Sequence, residues 1–325
     1  MMIRYPSDRC SLGTMMRVSL FIEPHRGATY NTQLRFARQA EDAGFEGLLR
    51  ADHYRALTPD PGLPGPTDAW ITLAGLARET TTLRLGTMVN AATFRLPGPL
   101  SIIVAQVDQM SGGRVELGMG AGWVEREHTA YGIPFPPIGE RFDRLEEQLE
   151  ILTGLWGTAE DETYSFEGRH YQLAEAHALP RPVQRPHPPI IVGGRGPRRT
   201  PELAARYADE FNMPFKTVAE TAKAFDRVRA AAEMTGRELT LSAGIVVAIG
   251  RTDAEAARRA APLHVKSALP PEDPVTGSPD QLVQRINEMR EIGASRVHLR
   301  IIEMDDLDHV ELIAADVLPQ LSKQK

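Results

Sequence analysis

The sequence predicts an α/β protein with the architecture of a TIM (β/α)8 barrel. Three observations lead to this prediction. A chain of 325 residues suits either two domains or one α/β barrel. Eight short β-rich runs alternate with longer segments of helical periodicity, and alternation of this kind implies parallel strands joined by crossover helices. Glycine-rich motifs follow several of the runs, at the strand ends where barrel active sites lie.

The elements follow in order along the chain. The predicted strands are Arg17–Ile22, Gly47–Arg50, Leu83–Val89, Val115–Met119, Pro189–Val192, Asp209–Met213, Thr240–Ile249 and Val297–Ile301. The predicted helices are Asn31–Ala43, Thr67–Thr80, Pro99–Met110, Arg141–Trp156, Thr200–Tyr207, Val218–Thr235, Pro279–Ile292 and Leu307–Leu318.

Local patterns justify these elements. The helix from Arg141 has the clearest periodicity, with Phe142, Leu145, Leu149, Leu152 and Trp156 on one face and charged residues opposite. Gly44 and Gly293 each stand just before a predicted strand, the position at which glycine commonly ends a helix.

Two insertions interrupt the alternation. We expect a single barrel domain over residues 16–325, preceded by a disordered or irregular extension over residues 1–15. A hairpin insertion is predicted near residues 160–188, because Thr163–Leu173 alternates around Gly168. Residues 262–279 contain five prolines and few apolar residues, so they are predicted as a long loop, either a lid or a mobile connection.

Composition limits the class of protein. Hydrophobic residues make up 42% of the chain and charged residues 25%, with a net charge of −6. This balance argues against nucleic acid or an anionic membrane as a partner, since both attract basic surfaces. No apolar run approaches the length of a membrane helix, and no signal-peptide pattern is present, so a cytoplasmic location is expected. The only cysteine is Cys10, and no metal-ligand spacing occurs, so no metal site is predicted.

Asp52 and His53 directly follow the second predicted strand. In a barrel this position lies on the catalytic rim. Histidine titrates near neutral pH and can donate or accept a proton, and a neighbouring carboxylate can orient its ring. The alternative is a histidine of an ordinary loop, exposed to solvent or capping the next element.

The stretch from Met110 to Glu127 ends its strand with Gly118, Gly120 and Gly122, followed by Trp123. Glycines at a strand end let a flat ligand approach the backbone, and Trp123 offers it an aromatic wall. A glycine-rich turn without a ligand is the alternative. Glu125, Glu127 and His128 are interpreted as a polar first helical turn, although Glu127 could line the pocket.

Two further strand ends are candidate binding segments. Small residues after the third strand, including Ala91, leave room for a ring system, with Arg95 close behind; a plain loop in which Arg95 pairs with an acidic neighbour is the alternative. Gly193, Gly194 and Gly196 precede a helix that begins near Thr200, so their amides predict a phosphate site. Arg195, Arg198 and Arg199 would reinforce its charge, and a tight turn with solvated arginines is the alternative.

Taken in order, these segments resemble the luciferase-like monooxygenase family, which includes deazaflavin-dependent oxidoreductases. The resemblance covers residues 16 to about 321, and its most specific pieces include Glu41–His53, Leu85–Val89, Asp108–Arg114, Gly118–Trp123, Tyr131–Phe135, Glu140–Glu147 and Ala204–Asp209. It implies a TIM barrel of the bacterial-luciferase type with a flavin or deazaflavin at its mouth, and a homodimer.

The resemblance also implies roles for particular residues. A non-proline cis peptide would join Met88 to Val89 and form a bulge behind the cofactor ring, and Asp52 and His53 would lie near its reactive edge. Gly193, Gly194 and Gly196 would bind the phosphate.

The choice of cofactor depends on finer matches within the family. Asp52–His53 and Thr93–Arg95 look most like the branch that uses the deazaflavin coenzyme F420. Trp123 stands where some of its members have a glutamate, which leaves His53 as the main acid–base candidate. Hydride transfer between reduced F420 and an unknown small-molecule substrate is therefore expected. The alternative is an FMN-dependent monooxygenase that uses oxygen and is supplied by a separate cofactor-reducing enzyme.

Overall fold

The computed structural model describes residues 15–58, 62–265 and 272–322, and these form a closed barrel of eight parallel strands surrounded by helices. The barrel is a TIM barrel, as predicted. Its strands are β1 (Arg17–Ile22), β2 (Gly47–Arg50), β3 (Arg84–Thr87), β5 (Val115–Gly120), β8 (Ile190–Gly193), β9 (Glu210–Met213), β10 (Thr240–Ile249) and β12 (Arg296–Arg300). The ring closes where β9 pairs with β10 and β12 pairs with β1.

Most of the helices pack an apolar face against the outside of the barrel. The helices are α1 (Tyr30–Asp42), α2 (Ala69–Glu79), α3 (Pro97–Ser111), α4 (Glu125–Ala130), α5 (Ile138–Gly157), α6 (Arg199–Tyr207), α7 (Val218–Thr235), α8 (Asp253–Val265), α9 (Pro279–Glu291), α10 (Leu307–Asp316) and α11 (Leu318–Leu321). On α5, the predicted face buries Leu145, Leu149, Leu152 and Trp156 against the main core.

Shorter strands lie outside the ring. β4 (Asn90–Ala91) pairs with β5, and β11 (Val275–Gly277) pairs with β10. The segment between α5 and β8 contains an antiparallel pair, β6 (Thr163–Glu167) and β7 (Gln172–His177). The predicted extension over residues 1–15 lies almost entirely outside the described residues.

Helix α8 was not predicted, and several element boundaries differ from the prediction, three of them in ways that matter most here. The third strand stops at Thr87 and resumes as β4 beyond the Met88–Val89 bond. The last helix divides at Val317, because Pro319 has no N–H to continue the ladder. The loop predicted over residues 262–279 is wrong at both ends, since α8 continues to Val265 and β11 begins at Val275. The alanines and charged residues from Asp253 onward are good helix formers, and they carry the helix past Pro262.

The amino-terminal ends of the strands enclose a buried charged network. Arg296 donates to Glu116 at 2.8 Å and to Glu210 at 2.9 Å, and its other nitrogens donate to Ser19. His298 bonds the second oxygen of Glu210 at 2.8 Å. Burial alone would raise the pKa of Glu116, but Arg296 and Arg84 lower it to about 2. We name this group, Arg296, Glu116, Glu210 and His298, the basal network.

Candidate active site

The carboxyl ends of the strands form one mouth, and the predicted site residues gather around it. The rings of His53, after β2, and Trp123, after β5, lie edge to face with their centroids 6.0 Å apart. Val89 lies between β3 and β4. Its side chain is 2.8 Å from the position that a Cβ on Gly120 would occupy and 3.0 Å from the corresponding position on Gly193. The ends of β2, β3, β5 and β8 are therefore neighbours.

His53 is anchored by a buried carboxylate. Its Nδ1 lies 2.9 Å from Oε1 of Glu127 and 3.2 Å from Oε2, and the Tyr54 amide donates to the same carboxylate at 3.1 Å. The His53 side chain is 16% exposed, whereas that of Glu127 is 2% exposed. With the Nδ1 proton held by Glu127, the other ring nitrogen, Nε2, can exchange a proton with a ligand.

Glu127 is thus part of the site, which is the less favoured of the two interpretations drawn from the sequence. It belongs to α4, four residues beyond Trp123. A glutamate therefore lies beside His53, although the position directly after the last glycine of the motif is Trp123. A short helix following the glycine motif turns it inward.

Asp52 is buried and pairs with Arg95 rather than orienting His53. Arg95 also donates to Asp68 at 2.6 Å and to Asn90 at 2.7 Å, so one guanidinium joins the loop after β2, the start of α2 and β4. Burial alone lowers the pKa of Arg95, but the neighbouring Asp52 raises it above its ordinary value. For Arg95 the alternative interpretation, pairing with an acidic neighbour, is the one observed.

The Met88–Val89 peptide bond is cis, as predicted. Val89 fills space that the glycines leave open: besides Gly120 and Gly193, its side chain lies 3.1 Å from the Cβ position of Gly118. The glycines at the end of β5 therefore accommodate the Val89 bulge, a role that the sequence did not predict. Beyond them Trp123 is 54% exposed at the mouth, and Ala91 is buried.

The turn after β8 has the features expected of an anion site. Gly194 adopts a φ of +155°, and a Cβ on Gly196 would stand 2.5 Å from the Thr200 hydroxyl. Helix α6 begins directly afterwards, and its N-cap residue, Arg198, makes no side-chain capping hydrogen bond. These amides can therefore receive an anion.

The arginines near this turn differ in their environment. Arg195 makes one long contact with the Pro214 carbonyl, at 3.4 Å. Arg199, which we expected to reinforce the anion site, instead donates to Asp143 at 2.6 Å and Glu146 at 3.2 Å. Its charge is neutralised by helix α5.

Sequence analysis missed Arg141 as a site residue. Its guanidinium lies over the Phe135 ring at 3.8 Å, its residue exposure is 8%, and its Nε and Nη1 have no hydrogen-bond partner among the described residues. The next residue, Phe142, lies 3.6 Å from the Cβ position of Gly196. The available signal was a charged residue adjoining the apolar face of α5.

His25 was also missed. It follows β1 in a short 3-10 turn, Pro24–Arg26, and its ring packs edge to face on His53 at 4.8 Å. The residue is 1% exposed, and neither ring nitrogen has a hydrogen-bond partner among the described residues. A polar residue at the carboxyl end of a barrel strand was the signal that could have found it.

The described residues include no group of three or more potential metal ligands. Within the same part of the chain, no helix combines the length and the apolar character that crossing a membrane requires.

Comparison with known proteins identifies relatives with two kinds of cofactor. The chain is 35% identical over 182 residues to an F420-dependent glucose-6-phosphate dehydrogenase of Microbacterium testaceum, covering 56% of this chain and 52% of the relative. It is 31% identical over 232 residues to an FMNH(2)-dependent dimethylsulfone monooxygenase of Pseudomonas putida, covering 70% of this chain and 60% of the relative. The matched part thus spans about half to three fifths of these relatives.

The fold is shared with solved structures. The monooxygenase RslO1 of Streptomyces bottropensis superposes with a TM-score of 0.79 over 94% of this chain and 99% of that chain, at 23% identity. The family model described as luciferase-like monooxygenase matches residues 12–274. With the barrel, the cis bond and the glycine turn in place, the chain belongs to the luciferase-like monooxygenase family.

Proposed function

We propose that this chain is an oxidoreductase that transfers a hydride between reduced coenzyme F420 and a small organic substrate. The observation that carries the proposal is the pair of His53 and Glu127 at the mouth. A histidine whose Nδ1 is fixed by a buried carboxylate can supply or remove at Nε2 the proton that accompanies a hydride.

The residues around the mouth fit a ring cofactor with a phosphate. Arg141 is a buried cation with unpartnered nitrogens, and the uncapped start of α6 follows Gly193, Gly194 and Gly196. We propose that these groups hold the phosphate. Met88, Val89, Ala91, Gly120, Gly122 and Trp123 are proposed to border the ring.

The residues of the chain would orient the proton-transferring group and the cofactor and keep water out of the site. When bound, the deazaflavin supplies two-electron hydride chemistry. Glu127 keeps the His53 ring in one orientation and one tautomer, while Arg95 holds Asp52 and the loop after β2 in place. Trp123 and the apolar cluster of Phe21, Leu49, Met88 and Ile191 limit the access of water.

An FMN-dependent monooxygenase is the second candidate, favoured by the similarity to the dimethylsulfone monooxygenase. In this alternative the site would accept reduced FMN from a separate reductase and consume oxygen. A homodimer belongs to both proposals, and light scattering of the purified chain tests it.

A cofactor titration separates the two candidates. Purified protein is titrated anaerobically with reduced F420 and with reduced FMN, and binding is followed by cofactor fluorescence. We expect F420 to bind about tenfold or more tightly, equivalent to at least about 1.4 kcal/mol. Tighter binding of FMN, together with oxygen consumption coupled to product, would establish the monooxygenase instead.

A further inference from the structure

The turn Pro24–Arg26 carries buried donors that the proposed mechanism does not use. Both ring nitrogens of His25 and the Nη1 atom of Arg26 are buried and have no hydrogen-bond partner among the described residues. The Arg26 side chain is 10% exposed. Polar groups buried in this way are normally satisfied, and an unpaired charged donor is the most unfavourable case.

The surroundings of the turn are well defined. Nε of Arg26 lies 2.8 Å from Oε2 of Glu23, and the same oxygen accepts from Nε of Arg300 at 2.7 Å. Burial alone would raise the pKa of Glu23, yet the two arginines lower it to about 2, so its carboxylate is ionised at neutral pH. Glu23 is therefore already occupied by Arg26 and Arg300, and it leaves Nη1 of Arg26 unpaired.

The electrostatic environment at His25 opposes additional positive charge. Burial and the neighbouring His53 hold the pKa of His25 well below its ordinary value, and Arg26 and Arg300 act in the same direction, whereas only Glu23 opposes them. His25 is accordingly a neutral imidazole, which has one N–H donor. His25 thus supplies a neutral donor and Arg26 a cationic donor, and donors of both kinds bind anionic oxygen groups.

We propose that His25 and Arg26 form a substrate subsite that binds a carboxylate, beside His53 and opposite the phosphate turn. This inference rests on the proposed function in so far as it treats the mouth as the place where substrate reacts. The ring contact between His25 and His53 connects the subsite to the proton-transferring residue.

The apolar neighbours of the mouth indicate what the rest of the substrate resembles. Phe21 and Phe215 lie with ring centroids 5.6 Å apart, and Phe215 also packs under the Arg300 guanidinium at 5.2 Å. A planar apolar group beside these rings would place its carboxylate toward the arginines. The subsite therefore fits an aromatic or unsaturated carboxylic acid.

Benzoate and benzamide provide a matched pair of probes, since they share a ring and differ in charge. Their binding to the full-length protein, with and without F420, is measured by ligand-observed NMR titration. We expect benzoate to bind about tenfold or more tightly than benzamide, the effect of one charged hydrogen bond. Arg26→Gln and His25→Phe should each abolish this preference, and Arg26→Lys should restore part of it.

Two controls make the outcome decisive. Arg78→Gln removes an exposed arginine at the far end of α2 and should leave the preference unchanged. Gly194→Val alters the phosphate turn and should also leave it unchanged; loss of the preference there would place benzoate at that turn and overturn the proposal. If Arg26→Gln fails to fold, as judged by circular dichroism, His25→Phe tests the subsite instead. This variant keeps an aromatic ring against His53 and removes both nitrogens.

Equal affinities of the wild-type protein for the two probes would also overturn the subsite. So would a preference that survives in folded Arg26→Gln and His25→Phe. Failure of the proposed function has a different signature, because F420 would then not bind while the preference for benzoate could persist.

Discussion

The two ends of the barrel both contain buried charges, but they satisfy them differently. At the base of the barrel, Arg296 faces three carboxylates, those of Glu116, Glu210 and Glu46. Each carboxylate has a second basic neighbour, which is Arg84, His298 or Arg17 respectively. The Nδ1 atom of His298 is the one nitrogen of this network without a partner in the described structure. At the mouth, by contrast, His25, Arg26 and Arg141 all retain unpartnered nitrogens.

This difference in pairing indicates that the charges at the base contribute to stability, whereas those at the mouth are available for a ligand. In the basal network every charged group is paired within the protein, so the network joins strands and offers no charge to a ligand. Donors left unpaired at the mouth make the folded chain less favourable by themselves, and a ligand that pairs with them recovers this free energy. Changes at the base should therefore alter unfolding, and changes at the mouth should alter binding and turnover.

The largest effect is expected for Arg296→Met. Removing the guanidinium leaves Glu116 and Glu210 as buried carboxylates without their shared partner. We expect the free energy of unfolding to fall by about 3–5 kcal/mol, measured by denaturant titration. Additional changes of Glu116→Gln and Glu210→Gln should recover part of the loss.

Arg35→Met is the matched control, because the Arg35 side chain is 63% exposed in its ion pair with Asp305. Its effect should stay within about 1 kcal/mol. The comparison between the two ends fails if Arg296→Met is no more destabilising than this surface change.

His53→Ala tests the mouth directly. Loss of the acid–base group should lower kcat by about 10²–10⁴-fold, while the affinity for the cofactor stays close to that of the wild type. Steady-state kinetics and a fluorescence titration check both parts. Glu127→Gln should cause a smaller loss, because the amide still contacts the ring. Unchanged turnover in His53→Ala would remove this residue from the mechanism.

Gly194→Val should give the smallest effect of the three, about a tenfold weaker affinity for the cofactor. Among the described residues beyond its chain neighbours, a Cβ at Gly194 meets Thr200 alone, at 3.4 Å, so the new side chain would extend toward the proposed phosphate. Gly236→Val controls for backbone strain, since Gly236 also has a positive φ, +67°, and no atom of the described residues beyond its own chain neighbours lies within 4 Å of its Cβ position. If both variants bind cofactor equally well, the phosphate is bound elsewhere.

The barrel was predictable because its signals are local. The periodicities of strands and helices can be recognised within short windows of sequence. The order of the elements then limits the possible topologies. The prediction was weakest where local and distant effects compete. Residues 262–265 were assigned to a loop because five prolines lie between residues 262 and 279, yet the helix that begins at Asp253 includes them.

The sequence by itself determined the eight alternating units, the position of His53 at a strand end and the glycine turn before α6. Only the tertiary structure decided the partners. Glu127, rather than Asp52, orients His53 across 74 positions of the chain, and Arg95 binds Asp52 across 43. The physical reason is that backbone conformation follows from near neighbours, whereas a polar side chain pairs with whichever group the closed barrel brings within hydrogen-bond distance.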